Sequence, residues 1–241
     1  MQEKKRAAVE AGYSASYRAR ESTAPLQIGT GGLVEDGSLL KSARRLRFSP
    51  RDVIYREGDS ADTIYAIHSG LVKLLSFLPN GRGRIIRLYG RGIWIGLEGL
   101  LRRPYEHTAV AVDQVEVYRM SADALRLIEQ EDPRHYQHFM VKWHEHLLEA
   151  DMWISDFSTG SIKSRVARLI KFLSRIQDRN ASGHVKLLTC DEMAAILGVT
   201  PESVSRVIAE FKRGAILRAP SNADSELYQC NMPELERFAL Q

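Results

Sequence analysis

Apolar residues follow two different periods along this chain, and the change of period divides it. Between about residue 42 and residue 120 they come in short alternating runs: 52–56, 63–67, 71–77, 84–89, 93–95, 107–112 and 115–120. Glycine-bearing turns stop these runs, among them Glu57-Gly58-Asp59, His68-Ser69-Gly70 and Asn80-Gly81. Short period-two runs predict strands, and their even spacing predicts an antiparallel barrel or jelly roll.

Beyond residue 120 the period lengthens. Ser121 is placed to cap a short helix over 121–130, and Asp132-Pro133 opens a longer one. On the longer helix Tyr136, Met140, Trp143, Leu147, Ala150, Ile154 and Phe157 are separated by 4, 3, 4, 3, 4 and 3 residues. That is an a/d heptad seam, with Lys142, Glu145, His146 and Glu149 at other positions. It predicts a two-stranded coiled coil between subunits; packing of the seam onto its own domain is the alternative. Thr159, Gly160 and Ser161 interrupt the pattern as a candidate hinge. A helix over 162–175, a polar loop over 178–184 and a final helix over 232–240 are expected, with 216–218 and 227–230 pairing as a hairpin.

The stretch 188–217 carries the chemistry. Thr189 and Glu192 have capping-box spacing at the start of one helix, with Met193, Ala194 and Leu197 facing inward and Gly198 ending it. Thr200 caps a second helix, and Pro201 occupies its first position, where no amide donor is needed. Val204, Val207, Ile208 and Phe211 form that helix's apolar stripe. Glu202, Ser205 and Arg206 follow i, i+3, i+4 on another face. An acceptor, a hydroxyl and a guanidinium at the N-terminal end of a short helix suit the reading of base edges in a major groove. The plainer alternative is a solvated face with an intrahelical Glu202–Arg206 pair.

Composition narrows the setting without identifying a partner. The 241 residues are 44% hydrophobic and 27% charged, as in an ordinary globular protein of up to two domains. The net charge of +4 is compatible with a polyanion. The excess is local: Lys41, Arg44, Arg45, Arg47 and Arg51 cluster, and 163–179 holds six cations against Asp178. No apolar run is long enough to span a bilayer, and no hydrophobic core follows the charged N-terminus, so neither a membrane span nor a signal peptide is expected. Cys190 and Cys230 are the only cysteines, too few for a disulfide framework, and a reducing cytoplasm is expected. Residues 1–35 lack periodic apolar pattern and are expected to be a weakly ordered tail.

A glycine-punctuated β-roll, a heptad helix and a C-terminal winged helix–turn–helix, in that order over about 40–235, resemble the CRP/FNR superfamily of bacterial transcription regulators. The resemblance implies an α+β chain. Its parts would be a cyclic-nucleotide-binding-like β-roll (double-stranded jelly roll) over 36–130, a dimerisation helix over 131–158 and a DNA-binding domain over 159–241. It implies a homodimer on double-stranded DNA, with RNA polymerase as a further partner and no enzymatic activity. Pro201-Glu-Ser-Val-Ser-Arg206 looks like the FNR-type E-x-x-S-R motif, which makes Glu202, Ser205 and Arg206 the base readers of a TTGA-like half-site. Relatives reading a TGTGA-type site usually have arginine where Pro201 stands. Thr200, Ser203, Lys163, Arg165, Lys212 and Arg213 are candidate phosphate contacts, the charged ones alternatively plain surface charges.

The sensor half departs from its nucleotide-binding relatives. Their phosphate cassette reads approximately G-E-L-x(8)-R-S/T, and the candidate effector pocket here is Gly96, Leu97, Glu98, His107 and Thr108. Leu97 stands at the glutamate position, His107 at the arginine position and Ala150 where an adenine-contacting threonine is found. Histidine does not replace a permanently charged planar phosphate clamp, so cyclic AMP is not the expected effector. No cysteine precedes Cys190, so an FNR-type iron–sulfur cluster is not expected either. No cofactor is predicted. Haem is the alternative, with His68, His107, His135, His138, His144 and His146 available but in no binding signature. A cupin-type enzyme would need His-x-His on a barrel strand, and His144 to His146 lies on the long helix instead. Cys190, at the start of the motif's first helix, is a candidate redox position whose modification would weaken DNA binding.

Overall fold

The computed structural model describes residues 20–21, 43–78, 81, 83–131, 133–177, 184–219 and 227–240, leaving aside the side chains of 20–21, 128–131, 133–139 and 142. The chain divides at Leu148/Glu149 into two units, and the long helix α2 (Pro133–Ser158) contributes to both.

The N-terminal unit is the expected β-roll. One sheet runs β1 (Arg20–Glu21), β2 (Arg44–Phe48), β9 (Val115–Ser121), β4 (Thr63–Ser69), β7 (Trp94–Ile95), and every pairing is antiparallel. The other runs β3 (Val53–Tyr55), β8 (Thr108–Ala111), β5 (Val72–Phe77), β6 (Gly83–Tyr89), again antiparallel. Their facing sides share one apolar core that includes Phe48, Tyr65, Ile67 and Val117 from the first sheet and Tyr55, Val72, Leu74 and Tyr89 from the second. Alternate residues of β4 and β9, including Ile64, Ala66, Tyr118 and Met120, form a second cluster with Leu97, Ala122 and Leu125, the last two from α1 (Ala122–Glu131). β4 is therefore apolar on both faces, which explains its nearly continuous hydrophobic run.

Two strands differ from expectation. The expected tail over 1–35 lies outside the described residues except for Arg20 and Glu21, which pair with Arg47 and Leu46. β2, which reads as a basic cluster, is a strand whose Leu46 and Phe48 are buried while arginines occupy the alternate positions. Arg45 and Arg47 both pair with Glu116 of the neighbouring strand, so the cluster is partly neutralised.

The C-terminal unit begins within α2. Gly160, at φ +87, allows the turn into α3 (Ile162–Ile176), capped by Ser161. Next come β10 (His184–Lys186), α4 (Cys190–Leu197), α5 (Pro201–Arg213), β11 (Leu217–Arg218), β12 (Leu227–Cys230) and α6 (Met232–Ala239). β11 and β12 pair as the expected wing hairpin. β10 adds a third strand where only a loop was expected, and most of that loop lies outside the described residues.

Candidate nucleic-acid interface

α4 and α5 are joined as their caps dictate. The Thr189 hydroxyl accepts the Glu192 amide at 3.2 Å while the Glu192 carboxylate accepts the Thr189 amide at 3.1 Å, a closed capping box. Gly198 ends α4 in the left-handed region at φ +65. Thr200 then caps α5 by accepting the Ser203 amide at 3.3 Å. Val204, Val207, Ile208 and Phe211 are buried, which fixes the rotation of α5 about its axis. Glu202, Ser205 and Arg206 are consequently exposed together at its N-terminal half.

These side chains are ordered by their neighbours. The Arg206 guanidinium donates to the Ser203 hydroxyl at 3.2 Å, and Ser203 lies 3.1 Å from the Thr200 hydroxyl. Ser203, expected as a phosphate contact, thus also steadies Arg206, an expected base reader; its i, i+3 spacing to Arg206 is the signal for this in the sequence. A hydrogen bond to its own backbone amide, then the Thr200 hydroxyl and the Arg206 charge, hold the Glu202 carboxyl below its ordinary pKa.

The expected backbone cations separate into two kinds. Lys212 and Arg213 are exposed at the C-terminal end of α5. Lys212 donates to the Tyr228 hydroxyl at 2.9 Å and sits over its ring, tying α5 to the wing; nothing local in the sequence announces that partner. Lys163 is paired with Glu210 at 2.5 Å and lies 4.1 Å over the Phe238 ring. Arg165 is partly engaged by the protein: Nη1 donates to the Leu197 carbonyl at 3.0 Å and Nε is buried. Two of its three nitrogens thus face the protein, and it braces the end of α4. Cys190 is the half-buried first residue of α4, and Cys230 is buried, which pushes its thiol up to about 11.

The heptad seam is open along most of its described length. Met140, Trp143, Leu147 and Ile154 are exposed, with Ile154 at 62%, and Ala150 is half-buried. Tyr136 lies outside the described side chains. Phe157 corrects the expectation: at 2% exposure it packs edge-on against Trp153 and Phe172 of its own unit. The seam therefore ends at Ile154, because the last turn of α2 turns its aromatic face to α3.

Comparison with known proteins agrees with both halves. Residues 45–132 match the cyclic nucleotide-binding domain and residues 167–238 the Crp-like helix-turn-helix domain. This chain is a transcription regulator of the CRP/FNR type. It is similar to the transcriptional regulator LdrP of Thermus thermophilus, 28% identical over 200 residues that span 80% of this chain and 95% of the relative. A CRP-family regulator of known structure, also from Thermus thermophilus, is 26% identical with TM-score 0.69, covering 81% of this chain and 96% of that one. FixK2 from Bradyrhizobium japonicum shares the fold at TM-score 0.71 and 21% identity, with the same coverage. The regulator carries a DNA-binding helix–turn–helix and is not an enzyme. Among the described residues no helix is long and apolar enough to cross a membrane.

In the regulator's β-roll, the five candidate pocket residues have the following surroundings. Gly96, at φ +79, is a tight turn where a Cβ would meet Tyr105 and the Thr63 carbonyl at 3.0 Å. Leu97 points away from the inter-sheet core into the second apolar cluster. Glu98 accepts the Glu106 amide at 3.4 Å, His107 is half-buried, and the Thr108 hydroxyl is used by the Glu57 amide at 3.1 Å. Tyr55, Tyr65, Tyr89 and Tyr105 belong to the apolar core between the sheets. Tyr55 stacks on Tyr105 with ring centroids 4.0 Å apart, Tyr65 lies 6.0 Å from Tyr55, and the Tyr105 hydroxyl donates to the Thr63 carbonyl at 2.6 Å. The histidines are dispersed. His68 lies edge-on to Tyr118 outside the core, where burial and then the Arg45 charge lower its pKa. His146 approaches the Tyr89 hydroxyl at 3.4 Å, His144 is exposed, and the side chains of His135 and His138 lie outside the described residues.

Proposed function

We propose that this regulator binds as a homodimer to a near-palindromic TTGA-like site, reading each half-site with Glu202, Ser205 and Arg206. The observation that carries the reading is their joint exposure on α5, whose opposite stripe is buried. Arginine bonds guanine bidentately and a carboxylate accepts from cytosine N4, which suits the guanine and its paired cytosine in such a half-site. Met140, Trp143, Leu147, Ala150 and Ile154 supply the dimer seam. Two-fold symmetry then sets the reading helices about 34 Å apart, one turn of duplex. Thr200, Ser203, Lys212 and Arg213 contact phosphates, RNA polymerase is the protein partner, and the cytoplasm is the compartment.

The effector is neither cyclic AMP nor an iron–sulfur cluster. Leu97, His107 and Ala150 lack the nucleotide-holding groups of relatives. The two cysteines, Cys190 and Cys230, both lie in the C-terminal unit. The match of 45–132 to the cyclic nucleotide-binding domain favours a cyclic-nucleotide-responsive regulator as the second reading.

Selection of bound sequences from random duplex DNA, with and without cell extract, tests the proposal. Paired TTGA-like half-sites are the expected enrichment, and dependence on extract would reveal a diffusible effector. Enrichment of an asymmetric motif, or of none in either condition, would overturn it.

A further inference from the structure

The hinge at Thr159, Gly160 and Ser161 is bracketed by one guanidinium. Arg168 on α3 directs Nη1 to the carbonyl oxygens of Asp156 at 2.9 Å and Thr159 at 2.8 Å, and Nε to that of Ala239 at 2.8 Å. The first two belong to the C-terminal end of α2, where a helix leaves carbonyls without intrahelical partners. Ala239 is the last residue of α6. A single planar cation therefore ties the ends of two helices to a third, all on the C-terminal side of the Leu148/Glu149 division. Gly160 is shaped around the same group: besides its φ of +87, a Cβ there would lie 2.9 Å from Arg168 Nη2.

The aromatic contacts do a different job. Trp153, Phe157 and Phe172 pack edge-on with ring centroids 4.8 to 5.8 Å apart, and hold the end of α2 against α3. Burial of this kind is non-directional and survives a small rotation of one helix over the other. Charge-assisted hydrogen bonds from a rigid fork to three carbonyls do not, because each needs its own distance and angle.

We propose that Arg168 is a positioning residue for DNA recognition. It sets the direction in which α2, with the dimer seam, leaves the winged-helix unit, and so the separation of the two reading helices. This rests on the homodimeric, two-half-site reading given above. The base readers on α5 are not among Arg168's partners, so half-site reading and half-site spacing are separable. A dimer with a fixed hinge accepts one spacing, while a loosened one gains the second half-site over a wider range of spacings at a lower effective concentration.

The test uses the full chain and the duplex recovered by selection with wild type. Binding is measured to that duplex, to versions with one or two base pairs added or removed between half-sites, and to a single half-site. Wild type is expected to favour the selected spacing by about tenfold or more over the altered ones. Arg168→Met keeps the stem and removes the donors; it is expected to bind the single half-site within about twofold of wild type while losing most of the spacing preference. Gly160→Ala pushes the guanidinium from the other side, is expected to have the same signature, and carries the test should Arg168→Met fail to fold. A folded variant of either kind that retains the wild-type spacing preference overturns the proposal. Absence of any spacing preference in wild type would instead remove the two-half-site reading, and this inference with it.

Discussion

Glu202 shows how much of the proposed reading head depends on single contacts. Its carboxylate lies within reach of its own amide and the Thr200 hydroxyl, and Arg206 is held by Ser203. Glu202→Ala is expected to relax discrimination at one base pair by about 1–3 kcal/mol, leaving affinity for random duplex nearly unchanged. Binding of single-base variants of the selected site would check this, and an equal loss on every duplex would assign Glu202 no reading role. The pH dependence has a definite sign. A lowered pKa keeps the acceptor ionised to lower pH than an ordinary glutamate, and the charge is lost only as pH falls through the lowered value. Base discrimination at that position should therefore be the same at pH near 7 as one unit above the ordinary carboxylate pKa of about 4.3. A marked decline over that interval would contradict the hydrogen bonding assigned to Glu202.

Elements are held by caps at their ends and by stripes along their length. Thr189→Ala opens the capping box of α4 and is expected to destabilise the C-terminal unit by about 1 kcal/mol, read as a lowered midpoint in urea. An unchanged midpoint would mean that tertiary packing alone holds the helix start. On α2 the exposed residues Met140, Trp143, Leu147 and Ile154 face a partner that only a second chain is proposed to provide. Leu147→Glu places a charge in that seam without disturbing the folded chain, since Leu147 is 58% exposed there. Sedimentation should show wild type as a dimer and the variant as monomer at the same concentration; a variant that stays dimeric would move the interface elsewhere. The elements themselves were mostly readable. Period two located seven of the roll's strands, the heptad located α2, and cap chemistry located α4 and α5 to within a residue or two. β2 was obscured because arginines occupy its exposed positions, and β10 because three residues are too few to show a period.

At the scale of the whole molecule, a chain carrying a helix–turn–helix also carries a roll that matches the cyclic nucleotide-binding domain. Calorimetric titration with cyclic AMP and cyclic GMP is expected to give no saturable heat up to about 1 mM. Saturable binding of either would establish the second reading. The candidate interface was legible because α5 is short, capped and two-faced, so the buried stripe of Val204, Val207, Ile208 and Phe211 decides locally what is exposed. Leu97 was less legible, since it enters a cluster built largely from β4 and β9, strands distant in sequence. Arg165, Phe157 and Arg168 needed the tertiary structure for the same reason. Each meets a partner 9 to 71 residues away, such as Leu197, Phe172, Thr159 or Ala239. The sequence by itself determined the periods, the caps and the exposed face of Glu202, Ser205 and Arg206, because these are set by neighbours within one or two turns. Only the tertiary structure decided which cations are committed inside the protein and where the exposed apolar stripe of α2 ends, because those depend on surfaces brought together by folding.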